Sequence, residues 1–155
     1  MTYIEANLIL FLQKNINEDS IISDLLHIVS NSLNVYILCV IIISLYLLDI
    51  LSNKQLISII ILILLVIIIK HIVKRQRPFV KYVNIKKLET MKIDKYSFPS
   101  GHMALAYLLA TFVDNKYFYL FPLITGISRM YLGVHYLSDL IGSLILTRIV
   151  LYVVT

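Results

Sequence analysis

The sequence predicts an all-α, integral membrane helical bundle of five or six transmembrane helices. Three observations point there. The hydrophobic fraction is 59% and charged residues make up only 15% of the chain, against about 45–50% and about 25% in soluble domains. Mean hydropathy is +0.87. The apolar residues also gather in long uncharged runs that lack the two-residue alternation of strands.

At 155 residues one membrane-embedded domain, 1–155, is expected. Its first thirty residues are the least regular. Ala6–Leu12 and Ile21–Val29 have apolar faces broken by Lys14, Glu18, Asp19 and Asp24. Two amphipathic helices lying in the membrane interface account for them. The alternative is a poor sixth transmembrane helix within 17–31, against which Asp24 and His27 count. Met1–Glu5 lacks the basic start of a cleaved signal peptide. Cys39 is the single cysteine, so no internal disulfide is expected.

Asn31–Leu48 carries no charge over 18 residues and Gln55–Ile69 none over 15. A spanning helix needs about 20 apolar residues. The second run reaches that length if Gln55 and Lys70 extend to the interfaces, and Ser52-Asn53-Lys54 is the turn of an antiparallel hairpin. Residues 79–98 read as a polar, basic loop on the face of the site. Met103–Val113 and Tyr117–Ile127, separated by Asp114-Asn115-Lys116, are too short alone to cross a core of about 30 Å. Extended by Ser100–His102 and by Ser128–Arg129, they place those residues slightly below the membrane surface. Leu140–Thr155 is the last apolar run.

Three clusters carry the chemistry. The first is Lys70-x6-Arg77-Pro78. Seven residues are two helical turns, so a helix continuing past Ile69 puts Lys70 and Arg77 on one face and ends at Pro78. Lys74 and Arg75 read as ordinary basic anchors of a membrane helix. In Pro99-Ser100-Gly101-His102, Ser100 is an N-cap and Gly101 leaves the backbone N–H groups open, as anion binding at a helix start requires. His102 falls in the first turn. In Ser128-Arg129-x5-His135-x3-Asp139, the histidine and aspartate share a helix face at i, i+4. The carboxylate can then fix the imidazole tautomer and leave one nitrogen free as a nucleophile. Arg129 offers a two-toothed fork for phosphate oxygens. Each cluster has an ordinary explanation: a basic flank, a capped helix, a surface ion pair. Ionisable residues beside membrane helices nonetheless mark function by default.

The net charge of +5 is concentrated in Lys70, Lys74, Arg75, Arg77, Lys81, Lys86, Lys87, Lys92 and Lys95. With no nucleic-acid motif nearby, the expected partner is an anionic lipid headgroup rather than nucleic acid.

The three clusters resemble the three-part signature of the type 2 phosphatidic acid phosphatase family, whose superfamily includes bacterial acid phosphatases and vanadium haloperoxidases. The likeness covers Lys70 to Asp139 with no departure at a signature position. It implies that His135 attacks phosphorus and becomes phosphohistidine, that Asp139 orients it, and that His102 protonates the leaving oxygen and then activates water. It also implies that Lys70, Arg77, Arg129, Ser100 and Gly101 hold the phosphoryl oxygens. Three fixed cations can balance a phosphate dianion, and no carboxylate cluster is present for Mg2+. A metal-independent phosphatase without cofactor is therefore expected.

The expected substrate is an anionic phospholipid or polyprenyl phosphate; a phosphatidic acid, a phosphatidylglycerol phosphate, a polyprenyl diphosphate and a lipid A phosphate all fit. A lipid-to-lipid phosphotransferase uses the same site, and a non-enzymatic scaffold is the rival of another class. Two hairpin helices return Lys70 to the side of Asn31. Counting positive charges puts that side in the cytoplasm, but the cations are partly catalytic. The resemblance places the site towards the periplasm, exterior or an organelle lumen, and is given more weight. His71 and His27 read as packing residues, Arg148 as a far-side anchor or a buried partner, and the eleven tyrosines as an interfacial belt.

Overall fold

The computed structural model describes residues 2–32, 35–90, 92–113 and 115–154. Leu33 and Asn34 of the first expected run, Met91 of the expected loop 79–98, Asp114 of the expected turn, and Met1 and Thr155 lie outside them. The described elements are helices: α1 (Thr2–Asn15), α2 (Ile21–Ser32), α3 (Val35–Leu47), α4 (Asn53–Val73), α5 (Pro78–Lys81), α6 (Gly101–Phe112), α7 (Leu120–Tyr131) and α8 (Leu137–Val154). A 3-10 turn, Lys116–Tyr119, leads into α7. No strand occurs among the described residues, only an isolated bridge between Gln76 and Tyr96.

Helices α4, α6 and α8 form the central packing unit. Ile59, Leu62 and Val66 of α4 meet Ala104, Ala106 and Leu108 of α6 and Val150 of α8. The alanines let backbones approach, as small residues do between membrane helices. Two hydroxyls of α8 cross the gap: Ser143 Oγ lies 2.9 Å from Ser100 O, and Thr147 Oγ1 3.3 Å from Ala104 O. Gly142 is required beside them, because a Cβ there would sit 2.4 Å from the Phe98 ring. The start of α6, which carries Ser100 to His102, is thereby locked against α8.

Two helices, α4 with 21 residues and α8 with 18, are long and apolar enough to cross a membrane. Their outer faces are apolar and exposed. Ile141, Ile145, Ile149 and Val153 make one uncovered row on α8, and Ile57, Ile60, Leu64, Ile67 and Ile68 do the same on α4. The first expected run forms a shorter helix, the 13 residues of α3. Its hairpin turn also moves: Asp49 takes a left-handed conformation (φ 56°). Asn53 and Lys54 already belong to α4, capped by Ser52 with Gln55 completing the capping box.

Both N-terminal helices pack on α7. Ala6 and Ile9 of α1 join Met103, Met130, Tyr136 and Leu140 in one cluster. Leu26 of α2 joins Tyr131, Leu132 and Val134 in another. Tyr131 and Tyr136 are thus core residues, whereas Tyr3, Tyr117 and Tyr152 are exposed. The basic segment 79–98 is docked rather than loose. Gln13 of α1 bonds Lys86 O (2.9 Å) and Tyr131 O (2.8 Å), Leu88 N bonds Leu132 O, and Ile85 and Glu89 are buried.

Candidate active site

The three clusters converge on one cavity of about 420 Å³. Lys70 of α4, Arg77, Gly101 and His102 of α6, Arg129 of α7 and His135 line one end with Lys92 and Asp94, while Ile42, Leu62, Ile63, Val66, Ile67 and Leu105 form the apolar wall. Ser100 and Asp139 are fully buried behind that lining.

Lys70 and Arg77 meet there, but not as two turns of one helix. Helix α4 ends at Val73, and Lys74 caps it in the left-handed conformation (φ 50°) with its N–H on Lys70 O. Arg77 is extended and Pro78 opens the short α5. Asp94 joins the two cations instead. Its carboxylate lies 3.1 Å from Lys70 Nζ and 2.9 Å from Arg77 Nη2, and its carbonyl accepts Arg77 Nε at 2.8 Å. Burial works to raise the Asp94 carboxyl, yet Lys70 and Arg77 outweigh it and hold it below the usual carboxylate range.

The second cluster folds as its sequence directs. Ser100 caps α6, its Oγ accepting Met103 N–H, and His102 lies in the first turn. A Cβ on Gly101 would meet only Val66 at an ordinary 3.6 Å, so packing does not demand glycine there. His102 Nε2 is buried with no hydrogen-bond partner.

His135 and Asp139 are neighbours without sharing a helix. Gly133 turns the chain at φ 75°, where a Cβ would sit 2.3 Å from Lys86 O, and His135 precedes α8. Asp139 is the third residue of α8, and its Oδ2 accepts the N–H of Tyr136 at 2.9 Å, the acidic half of a capping box. That same oxygen lies 3.4 Å from His135 Nδ1, which has no hydrogen-bond partner at this geometry. His135 Nε2 faces Arg77 Nη1 at 3.4 Å. Guanidinium can only donate, so Nε2 is the acceptor, its lone pair turned towards Arg77, and Nδ1 carries the ring proton on the Asp139 side. Burial, then Arg77, Arg129 and Lys70, push the His135 imidazole well below the usual histidine range.

Arg129 gives Nη1 to Glu89 and Ser30, while its buried Nε has no partner. One nitrogen of its fork is thus committed to holding the side chain in place, and Arg129 Nε and His102 Nε2 are buried polar atoms without partners on two residues that line the same cavity. No group of three His, Cys, Asp or Glu side chains gathers as a metal site among the described residues.

The sequence pattern of the PAP2 superfamily matches residues 52–155. The chain belongs to the PAP2 superfamily. The crystal structure of LpxE from Aquifex aeolicus has the same fold, with a TM-score of 0.80 at 19% identity, covering 97% of this chain and 94% of that one. The PAP2 match begins at Ser52, so α1 and α2 lie outside it. They nevertheless reach the site's surroundings through Glu5, which bonds Arg75 and Ser138 N, and Ser30, which bonds Arg129 and Glu89.

Reading the sequence alone missed Arg75, Asp94, Glu89, Glu5 and Ser30. Arg75 is no simple anchor: it binds Asp139 Oδ1. Glu89 and Asp94 carried a usable signal, being the two acids among the lysines of 81–95. His71 is exposed beside the Tyr96 ring and Arg148 rests over Tyr107; neither lines the cavity.

Proposed function

We propose that this PAP2 protein is an integral membrane lipid phosphatase that hydrolyses a phosphomonoester or pyrophosphate on a lipid headgroup through a phosphohistidine. The observation that carries the reading is the division of one cavity into a cationic end with both histidines and an apolar wall along α4 and α6. An amphiphile fits that division, with phosphate against Lys70, Arg77 and Arg129 and its first carbons along Leu62, Val66 and Leu105.

In the first step His135 Nε2 bonds to phosphorus and the phosphorus–oxygen bond to the lipid breaks. His102 gives its proton to the departing oxygen. In the second step His102 takes a proton from water, the water oxygen attacks phosphorus, and the phosphorus–nitrogen bond breaks to release phosphate. Asp139 orients the His135 ring, and the Ser100 hydroxyl and Gly101 N–H join the cations on the phosphoryl oxygens. Phosphoryl transfer is chiefly positioning and charge stabilisation, which these fixed cations supply without a metal ion. Residues 1–155 act as one domain with five or six membrane crossings, the N-terminal helices at the interface, loop 79–98 at the mouth, and the site on the non-cytoplasmic side.

The test is phosphate release from a phosphatidic acid and from glycerol 3-phosphate, which has the same kind of leaving oxygen but no tails, by the purified protein in detergent, with His135→Ala as control. Faster turnover of the lipid, lost in His135→Ala, is the expected result. A preference for the tail-less ester, or full activity of the variant, overturns the reading. Free phosphate from a single purified lipid separates hydrolysis from transfer to a second lipid.

A further inference from the structure

Three residues that follow His135, namely Tyr136, Ser138 and Asp139, are held by Arg75, and Ser138 by Glu5 as well. Arg75, just past the end of α4, reaches Asp139 Oδ1 and Ser138 Oγ (2.6 Å) with Nη1. Its Nη2 reaches Glu5 Oε2 at 3.1 Å, and its guanidinium lies 4.1 Å above the Tyr136 ring. The other oxygen of Glu5 accepts the N–H of Ser138 at 2.7 Å, one of the N–H groups left open at the start of α8. Neither Arg75 nor Glu5 lines the cavity.

We propose that Arg75, held by Glu5 of the N-terminal helix, is a positioning residue that fixes Asp139 and through it the ring of His135. The proposal rests on the reading of His135 as the nucleophile. Asp139 has no exposed surface. A buried carboxylate needs a balancing cation and filled lone pairs, and Arg75 with the Tyr136 N–H supplies both. With Oδ1 held by Arg75, Oδ2 is the oxygen left facing His135 Nδ1. Released from Arg75, the carboxylate can swing to Ser138 or turn away, and the ring loses the acceptor that selects its Nδ1–H tautomer. Three acceptors reached through Nη1 and Nη2, with an aromatic ring beneath the guanidinium, suit an arginine fork; an ammonium matches the charge but not the directions. Glu5 completes the device by tying α1 both to the arginine and to the helix bearing Asp139.

The experiment uses the full chain in detergent, with Arg75→Met, Arg75→Lys, Glu5→Gln, Asp139→Asn and the double variant Arg75→Met/Asp139→Asn. Arg75→Met is expected to lower kcat about 10–100-fold, the scale on which outer partners that orient metal-ligating side chains act. Competitive inhibition by inorganic phosphate, which reads the cation site, stays unchanged, and Arg75→Lys and Glu5→Gln are expected to fall between. The double variant matches Asp139→Asn alone, because residues acting through one another are not additive. Nitrogen NMR of 15N-histidine protein, with the His135 signal assigned by its loss in His135→Gln, shows one Nδ1–H tautomer in wild type and a mixture in Arg75→Met. An equal cost of Arg75→Met with and without Asp139, or an unaltered His135 tautomer, overturns the proposal. Activity surviving in His135→Gln removes the nucleophile assignment instead, and the tautomer still reports whether Arg75 sets the ring.

Discussion

The Asp94 carboxylate rests against the Lys70 ammonium, with both oxygens 3.1 Å from Nζ, and its Oδ1 also takes Arg77 Nη2. It thereby occupies two of the three cations proposed to bind phosphate. A negative group on a phosphate site either competes with the ligand or holds its cations ready. The side chain is 57% exposed and sits at the cavity lining, so it can swing out when a dianion arrives, and competition is expected. Asp94→Asn keeps the turn bond from Tyr96 N–H and removes the charge. Inorganic phosphate should then inhibit about two- to fivefold more tightly, the scale of a partly screened ion pair. Weaker inhibition would mean that Asp94 organises Lys70 and Arg77 rather than competing for them.

The two histidines should respond differently to removal. His135→Ala leaves no group to form the covalent intermediate, and turnover is expected to vanish. His102→Ala should cost about 10²–10⁴-fold, the usual worth of general acid–base catalysis, and the loss should shrink as the leaving group becomes more acidic. A series of phenyl phosphates of graded leaving-group pKa checks this. An equal loss along the series would remove His102 from the leaving oxygen.

The pH profile follows from the surroundings of His135. Burial first, and then Arg77, Arg129 and Lys70, depress its pKa. A depressed pKa keeps the ring neutral, and nucleophilic, further into acid. The acid limb of kcat/KM attributable to the enzyme should therefore lie below the ordinary histidine value of about 6.5, after correction for the substrate's own phosphate ionisation near about 6. Activity should also survive EDTA and be inhibited by vanadate, which can take five-coordinate geometry on His135. A requirement for Mg2+ with insensitivity to vanadate would falsify the covalent route.

Residue type made the three clusters legible, while their backbone was only partly so. The proline of Arg77-Pro78 disfavours helix at Arg77, so the chain contained a reason why Lys70 and Arg77 could not share one helix. The stop itself falls at Lys74, a left-handed lysine with no glycine or asparagine to announce it. That reversal sends Arg75 towards Asp139, and no local pattern encodes a contact across 64 positions. Likewise, spacing suggested a helical His135–Asp139 pair, but Asp139 reaches back to Tyr136 N–H as a cap, which starts α8 after His135. Gly133 was the visible sign, since its positive φ marks the turn that separates α7 from the histidine. The N-terminal helices were hardest, because Glu5 and Ser30 show their role only once α1 and α2 dock on α7.

The lysines of the basic segment divide by position, and so should their effects. Lys92 lines the cavity beside Asp94. Lys86 pairs with Glu18 on the outside, and Lys87 lies over the Phe79 ring. A cavity that gathers anionic lipid through charge depends on the lysine in its lining, each such lysine contributing about 1 kcal/mol near an anionic surface and less as salt rises. Lys92→Ala should accordingly raise the apparent KM for an anionic lipid about fivefold at low ionic strength, with kcat unchanged and the effect fading with salt. Lys86→Ala and Lys87→Ala should leave KM near wild type, since Glu18 and Phe79 already engage those side chains. Equal effects at all three positions would point to a diffuse surface potential, and no effect at Lys92 would take the segment out of substrate capture altogether.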